Sequence, residues 1–203
     1  MDSHLKDRLN IIPDPALFNH RHALLEKLAR IGDQVSPGNF PDVLRRNLEV
    51  LFRKALSDIG AHEGTIWLVN SESTQLIPVF NNGPDSNILL EQVRQPLNSG
   101  LISMVFATEQ ACIESEVYQH AAQDKTVDQT VGKLTCSMLA TPFYFAGSLR
   151  GVFSAVQLKS PDDPKDPPGF EPEHLTVIDA ASDLIGQLID HRFLQELLGL
   201  NHG

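Results

Sequence analysis

The strongest constraint on the fold of this chain is a long apolar hairpin at residues 136–158. Its sequence is CSMLATPFYFAGSLRGVFSAVQL, whose many branched, aromatic and small apolar residues favour extended strands. Ala146-Gly147-Ser148 interrupts the apolar run near its middle, and glycine there allows a tight reversal. Two long strands that pair with each other predict a sheet around which the rest of the chain packs.

A shorter hairpin is predicted ahead of the long one. Residues 64–69 are branched and aromatic, a turn-forming segment follows, and residues 75–80 return beside them. Pro78 has no amide hydrogen for a ladder, so its position is expected to face a sheet edge or a bulge. Residues 111–114 predict one more brief strand.

Apolar residues at helical spacing predict helices at both ends of the chain. The first helix spans 14–31, the second spans 43–56 and stops near Gly60, and the last opens within 170–173 and runs to about 198. Short helices are expected at 88–93 and 101–108. Residues 160–169 hold four prolines and predict a stiff surface connection.

Composition excludes several classes of function. Acidic residues outnumber basic ones by 26 to 16, and a formal charge of -10 repels nucleic acid and anionic membranes. No run approaches the roughly 20 apolar residues of a membrane span, and the first residues lack a signal-peptide pattern, so a cytoplasmic location is expected. Cys112 and Cys136 are expected to be free thiols.

The predicted order of elements suits an α+β layout with helices on an antiparallel sheet. In that order, residues 64–69, 96–102 with Thr108-Glu109-Gln110, 137–143 and 149–153 resemble a GAF domain, a fold related to PAS sensors. The resemblance implies helices from both chain ends on one face of the sheet, and a pocket on the other face under a lid at 118–133. It places the GAF-like domain at 36–194, with an N-terminal dimer helix at 1–35 and a tail at 195–203.

The family's known ligand signatures are missing at the corresponding positions. Cyclic-nucleotide binding members carry an Asn-Lys pair after the last strand, where this chain has Leu158-Lys159. Bilin-binding members use a cysteine in the region of residues 123–124, and haem-binding members a histidine near 132–135, and neither residue stands there. No cofactor is therefore expected, and the i,i+2 spacing of His20 and His22 argues against a metal pair.

A small-molecule pocket is expected beside the lid. Tyr118 and His120 could orient a ligand by hydrogen bonds, although a packed tyrosine and a surface histidine explain them equally well. Four acidic residues flank the lid and could hold a cation or a ligand amine, with a role in solubility as the favoured alternative: Glu114, Glu116, Asp124 and Asp128. The predicted pocket residues are Tyr118, His120, Asp124, Met138, Ala140 and Gln157.

The resemblance implies a non-enzymatic sensory or regulatory protein that acts through a small molecule or a signalling partner protein. Leu194, Leu197 and Leu198 extend past the expected domain and favour a helical homodimer. The predicted dimer residues are Leu17, Leu24, Leu28, Ile31, Ile185 and Leu188. The alternatives are a dimerisation scaffold without ligand and a thiol-dependent reductase of free methionine sulfoxide that would use Cys112 or Cys136.

Overall fold

The protein folds around one six-stranded antiparallel sheet. A computed structural model describes residues 14–44, 46–120, 123 and 125–200. The strand order is β3-β2-β1-β6-β5-β4, so β6 of the long hairpin β5–β6 pairs with β1 at the centre of the sheet, and β5 lies next to the edge strand β4. The strands are β1 Glu63–Val69, β2 Gln75–Asn81, β3 Gln95–Pro96, β4 Cys112–Ser115, β5 Leu134–Phe145 and β6 Ser148–Lys159.

Helices cover both faces of this sheet. They are α1 Pro15–Asn19, α2 Arg21–Gln34, α3 Phe40–Val43, α4 Arg46–Asp58, α5 Ser86–Gln92, α6 Leu101–Thr108, α7 Thr126–Val131 and α8 Pro172–Leu197, with a 3-10 turn at Val117–Gln119. Within the described residues, none of these helices combines the length and apolar character that a membrane crossing requires.

The central hairpin forms as the sequence predicts. Ala146 and Gly147 both have positive φ, at 52° and 73°, which is the backbone of the two-residue turn that matches the twist of paired strands. The pairing runs from Leu134 opposite Lys159 to Phe145 opposite Ser148. A register shift between Thr135 and Ser137 interrupts it near the open end. This bulge changes the face of the sheet on which the side chains of the first β5 residues lie.

The prediction for Pro78 is confirmed. Pro78 lies opposite Trp67, next to a register shift between Ile66 and Trp67. A bulge accommodates a residue that cannot donate to the ladder, so the strand continues through the proline.

An aromatic core joins the terminal helices to one face of the sheet. Phe143 and Phe153 of the central hairpin have ring centroids 4.5 Å apart, and Phe52 of α4 lies 4.9 Å from Phe153. Phe40 of α3 closes the cluster 6.3 Å from Phe143. Each such ring, once withdrawn from water, contributes about 1.5–3 kcal/mol. The predicted α+β layout, with helices from both chain ends on one face, is confirmed.

The N-terminal helices are more divided than the sequence suggests. The helix expected at 14–31 is two helices, α1 and α2, and the one expected at 43–56 is preceded by the separate turn α3. Leu44 between α3 and α4 leaves the helical region at φ -79° and ψ 85°. Phe40, Val43 and Leu44 are all buried there, so the bend directs three neighbouring apolar side chains into the core. The short strand β3 was not predicted.

Two of the residues expected at a dimer contact belong to the core of the single chain. Leu28 and Ile185 are buried among the aromatic residues, at 5% and 0% exposure, so assigning them to a dimer surface was wrong. Ile31 and Leu24 are half-buried. Leu17 and Leu188 remain exposed.

Candidate functional site

A cavity lies on the face of the sheet opposite α8. The volume open to the centre of a water-sized sphere is about 80 Å³. β1, β5 and β6 form its floor, and α5, α6 and the lid around α7 form its walls. It is lined by Glu63, Thr65, Trp67, Asn81, Leu89, Gln95, Gly100, Leu101, Ile102, Val117, Gln123, Val127, Asp128, Val131, Thr135, Met138, Ser154, Val156 and Leu158.

The inner wall of the cavity is apolar. Met138 packs with Leu101 and Val117 in a small buried cluster. Trp67 adds its ring, and its indole nitrogen Nε1 donates a 2.9 Å hydrogen bond to Ser154 Oγ. This bond satisfies the buried indole within the protein, so the ring presents an apolar surface.

The lid side of the cavity carries a buried carboxylate. Asp128 is 7% exposed and accepts hydrogen bonds from the Thr135 amide (3.0 Å), the Thr135 hydroxyl (2.6 Å) and Gln123 Nε2 (2.9 Å). These bonds tie α7 to the start of β5. They use three of about four acceptor positions that a carboxylate offers.

A second carboxylate lies at the edge of the cavity on β1. Glu63 Oε1 accepts from Lys133 Nζ at 3.0 Å, and the same ammonium lies 2.9 Å from Asp85 Oδ2. Although burial opposes the charge, hydrogen bonds to Asp85 and Glu63 raise the pKa of Lys133. One cation therefore serves two carboxylates, and it fastens the lid to β1 and to the loop before α5.

One buried polar atom has no hydrogen-bond partner in the described part of the chain. This atom is Gln123 Oε1. The other end of the amide donates to Asp128, so the oxygen faces away from that bond as a free acceptor. Gln123 is one of the residues that line the cavity, and buried acceptors are nearly always paired, so this unpaired oxygen points to a missing donor.

Several solved structures share this architecture. The GAF domain of a phosphoenolpyruvate-protein phosphotransferase from Coxiella burnetii has 17% identity and a TM-score of 0.57, covering 89% of this chain and 99% of that one. The GAF-B domain of DevS from Mycobacterium smegmatis has 18% identity and a TM-score of 0.56, with coverages of 78% and 98%. The chain has a GAF fold.

The GAF fold is also that of enzymes. Free methionine-R-sulfoxide reductase from Neisseria meningitidis, solved with its substrate, matches at 15% identity and a TM-score of 0.52 over 90% of this chain and 95% of that one. No protein-family model matches the sequence, and no curated protein does. At these identities the likeness establishes the fold, and the function has to be argued from the residues.

The predicted pocket residues on the central hairpin divide between the two faces of the GAF sheet. Met138 lines the cavity. Ala140 lies on the same face but packs beneath Trp67 and Val105. Gln157 was misplaced, because it faces the terminal helices and its amide binds Gly60 O (3.2 Å) and Gly169 N (2.8 Å).

Neither Tyr118 nor His120 lines the cavity. The Tyr118 hydroxyl donates to Asp166 Oδ2 at 2.9 Å, and its ring lies 5.0 Å from Lys159 Nζ, which ties the lid to the connection after β6. His120 lies 4.0 Å from Glu114. Asp124 lies outside the described residues. Among the polar residues that line the cavity, Glu63 and Gln123 were not predicted, and Asp128 was expected only as one of the acidic lid residues that could hold a cation or a ligand amine.

The two thiols of this GAF fold lie away from the cavity lining. Burial and the nearby Glu114 charge raise the pKa of Cys112 to about 11. Burial and Asp166 also raise the pKa of Cys136, although Lys159 opposes them. Thiolate is the reactive form, so both environments suppress reactivity.

Alkylation measures this suppression at Cys112. A pKa near 11 instead of 9.0 leaves about a hundredfold less thiolate at pH 8. We expect iodoacetamide to modify Cys112 in the Cys136→Ser variant at least about tenfold more slowly than it modifies free cysteine, because the greater nucleophilicity of a more basic thiolate offsets part of the loss. Unfolding in urea should restore the ordinary rate. Fast modification of the folded variant would contradict the raised pKa.

Proposed function

We propose that this protein is a non-enzymatic sensory or regulatory module that binds a small molecule under its lid and dimerises through its last helix. The observation that carries the proposal is the position of β5. One face of the strand lines the cavity through Thr135 and Met138, and the other face packs against α8. A change on one side of this strand therefore reaches the other side directly.

The contact between α8 and β5 has polar as well as apolar parts. Thr141 Oγ1 donates to Asp179, and Ser182 Oγ donates to the carbonyl of Pro142 at 3.0 Å. One turn further along, Gly186 lies against the backbone of Tyr144. These contacts bind the helix to the strand at fixed points, so a shift of β5 carries α8 with it.

A ligand would act by differential binding. If it fits the cavity better in one position of β5 and the lid, it stabilises that position by the difference in affinity. Couplings of this kind are typically about 1–3 kcal/mol, which shifts the equilibrium between two packings of the helix by about 5-fold to 150-fold. The output would pass to a partner protein through α8.

The outer surface of α8 supports a second copy of the chain as its partner. Val177, Leu184 and Leu188 are exposed, and with the half-buried Ala181 they follow each other at intervals of four, three and four residues. That spacing is the seam of a two-stranded coiled coil. The buried stripe of the same helix, with Ile178, Ile185 and Ile189, faces the sheet on another side.

Filling the cavity tests the sensing half. Val156 lines the floor, and Val156→Phe places a ring in the space. We expect thermal-shift screening with amino acids, nucleotides and small metabolites to yield compounds that raise the Tm of the wild type and leave the variant unchanged. Val50→Phe, at an exposed position of α4, is the matched control and should respond as the wild type does. If no compound raises the wild-type Tm, the sensing half is wrong.

The reductase alternative finds less support in this chain. The reductase from Neisseria meningitidis shares the fold, but Cys112 and Cys136 do not line the cavity, and the pKa of each is raised. A thiolate nucleophile needs the opposite environment. Assaying the Cys112→Ser and Cys136→Ser variants beside the wild type for methionine sulfoxide reduction separates the two functions, and we expect no turnover in any of them.

A further inference from the structure

We propose that the cavity takes a small protonated amine with a short apolar body. The inference rests on the proposed function, because it assumes that the cavity binds a small molecule and assigns the chemical class. It is carried by three features of the lining: its charge, its unpaired acceptor and its apolar inner wall.

The charge of the lining favours a cation. Glu63 and Asp128 line the cavity, and none of the lining residues in the described part of the chain is lysine, arginine or histidine. Lys133 stands outside the lining and is shared between Glu63 and Asp85. Within the described residues, the donors that bind Asp128 are all neutral. The local charge is therefore negative, and an anionic ligand such as a phosphate or carboxylate would be repelled.

The unpaired acceptor favours a ligand that donates. Gln123 Nε2 is fixed by its bond to Asp128, so Oε1 is the atom left without a partner. An N–H of a primary ammonium group would satisfy this oxygen, and Asp128 retains about one acceptor position for a second N–H. A quaternary ammonium ion has no N–H and would leave Gln123 unpaired. A neutral alcohol can donate one hydrogen bond but brings no charge.

The inner wall and the volume limit the rest of the ligand. Trp67, Met138 and Val156 offer an apolar surface, and about 80 Å³ corresponds to roughly five to eight water molecules by the same measure. A short aliphatic chain fits that space, whereas a nucleotide or a haem does not.

The two residues that carry the acceptors lie between the cavity and the protein surface. Gln123 and Asp128 line the cavity and also an outer groove bounded by Tyr118, Lys133 and Pro161. The ammonium group would therefore bind at the lid end of the cavity, with the aliphatic chain directed toward Met138. Binding would supply the donor that Gln123 Oε1 lacks, so an amine ligand would also stabilise the lid.

Calorimetric titration of the full chain with three matched probes tests the inference. The probes are n-butylammonium, n-butanol and n-butyrate, which share a short chain and differ in charge. We expect butylammonium to bind at least about tenfold more tightly than butanol, because a charge-assisted hydrogen bond is the stronger kind. Butyrate should not bind. Tetramethylammonium, added as a fourth probe because it has no N–H, should bind more weakly than butylammonium.

Variants of Gln123 identify the acceptor. Gln123→Met keeps the length of the side chain and removes the amide, so we expect butylammonium affinity to fall at least about tenfold while butanol affinity is unchanged. Gln123→Glu keeps an acceptor but loses the N–H that Asp128 accepts, and it should retain butylammonium binding because the cation can pair with the two neighbouring carboxylates. Each variant is first checked for a Tm close to that of the wild type. Equal butylammonium affinity in wild type and Gln123→Met would overturn the role of Gln123.

The outcomes separate this inference from the proposed function. Butanol or butyrate binding as tightly as butylammonium would overturn the amine assignment and leave a sensing cavity in place. The same holds if no probe binds while the metabolite screen finds a neutral or anionic compound that Val156→Phe excludes. If neither the probes nor the screen gives binding, both the inference and the sensing function are wrong.

Discussion

Replacing Gly186 with alanine is expected to lower the free energy of unfolding by about 2–4 kcal/mol, although the same change elsewhere in a helix stabilises by about 1 kcal/mol. A Cβ at Gly186 would lie far inside van der Waals contact with the carbonyl oxygen of Tyr144. That obstacle is the backbone of β5, where Tyr144 pairs with Leu149 of β6 close to the hairpin turn, and it cannot rotate away as a side chain would. Helix α8 would have to move off the strand that seats it.

Urea denaturation followed by circular dichroism measures this change. Two controls isolate the close approach. Gly38→Ala makes the same chemical change where the nearest atom is Ser36 Oγ at 3.9 Å, and Gln187→Ala changes the exposed neighbour on the same helix. Each control should stay within about 0.5 kcal/mol of the wild type. If Gly186→Ala is as stable as these controls, the contact between α8 and β5 is not rigid, and the proposed coupling between the cavity and α8 loses its basis.

The layout could be predicted from the sequence because periodicity reports burial. Residues of the long hairpin alternate between two buried faces, and the glycine at its centre marks the reversal, so the sheet followed from local chemistry. The last helix begins at Pro172 as expected, and Glu171 and His174 cap it reciprocally. The breaks around Leu44 could not be predicted, because they depend on aromatic rings contributed by β5.

The cavity residues were harder to predict because the lid has no periodicity. The sequence predicts Asp128 to be one of several exposed acidic residues. In the structure it is buried, and it accepts three hydrogen bonds from Thr135 and Gln123. The bulge after Thr135 also changes the facing of β5, so that Thr135 lines the cavity in place of Cys136. One available signal was missed. Glu63, Thr65 and Trp67 alternate along β1 and therefore share the face that lines the cavity.

Helix α8 carries two apolar stripes, and the sequence alone merged them into one. Ile185 and Leu188 were assigned together to a dimer contact, but Ile185 is buried against the sheet and Leu188 is exposed. Only the packing of the single chain reveals which residues are left for a partner. The exposed stripe is what a dimer would bury.

The double substitution Leu184→Glu with Leu188→Glu is therefore expected to convert a dimer into a monomer. Each leucine withdrawn from water contributes up to about 1.5–3 kcal/mol, and glutamates at facing positions would add repulsion, so the dimer should weaken at least about a hundredfold. Sedimentation velocity over a range of concentrations measures the change. The Tm of the dissociated chain tests whether each chain still folds, since both side chains are exposed in the single chain.

Val50→Glu is the matched control, because Val50 is an equally apolar, exposed residue on α4 outside the α8 stripe. It should leave the dimer intact. A wild type that sediments as a monomer, or a double variant that remains dimeric, would contradict the α8 seam. Since Gly186 and Leu184 lie on different sides of the same helix, the two variants separate its functions. Gly186→Ala disturbs the contact that would receive a signal from the cavity, and the glutamate pair removes the contact that would transmit it.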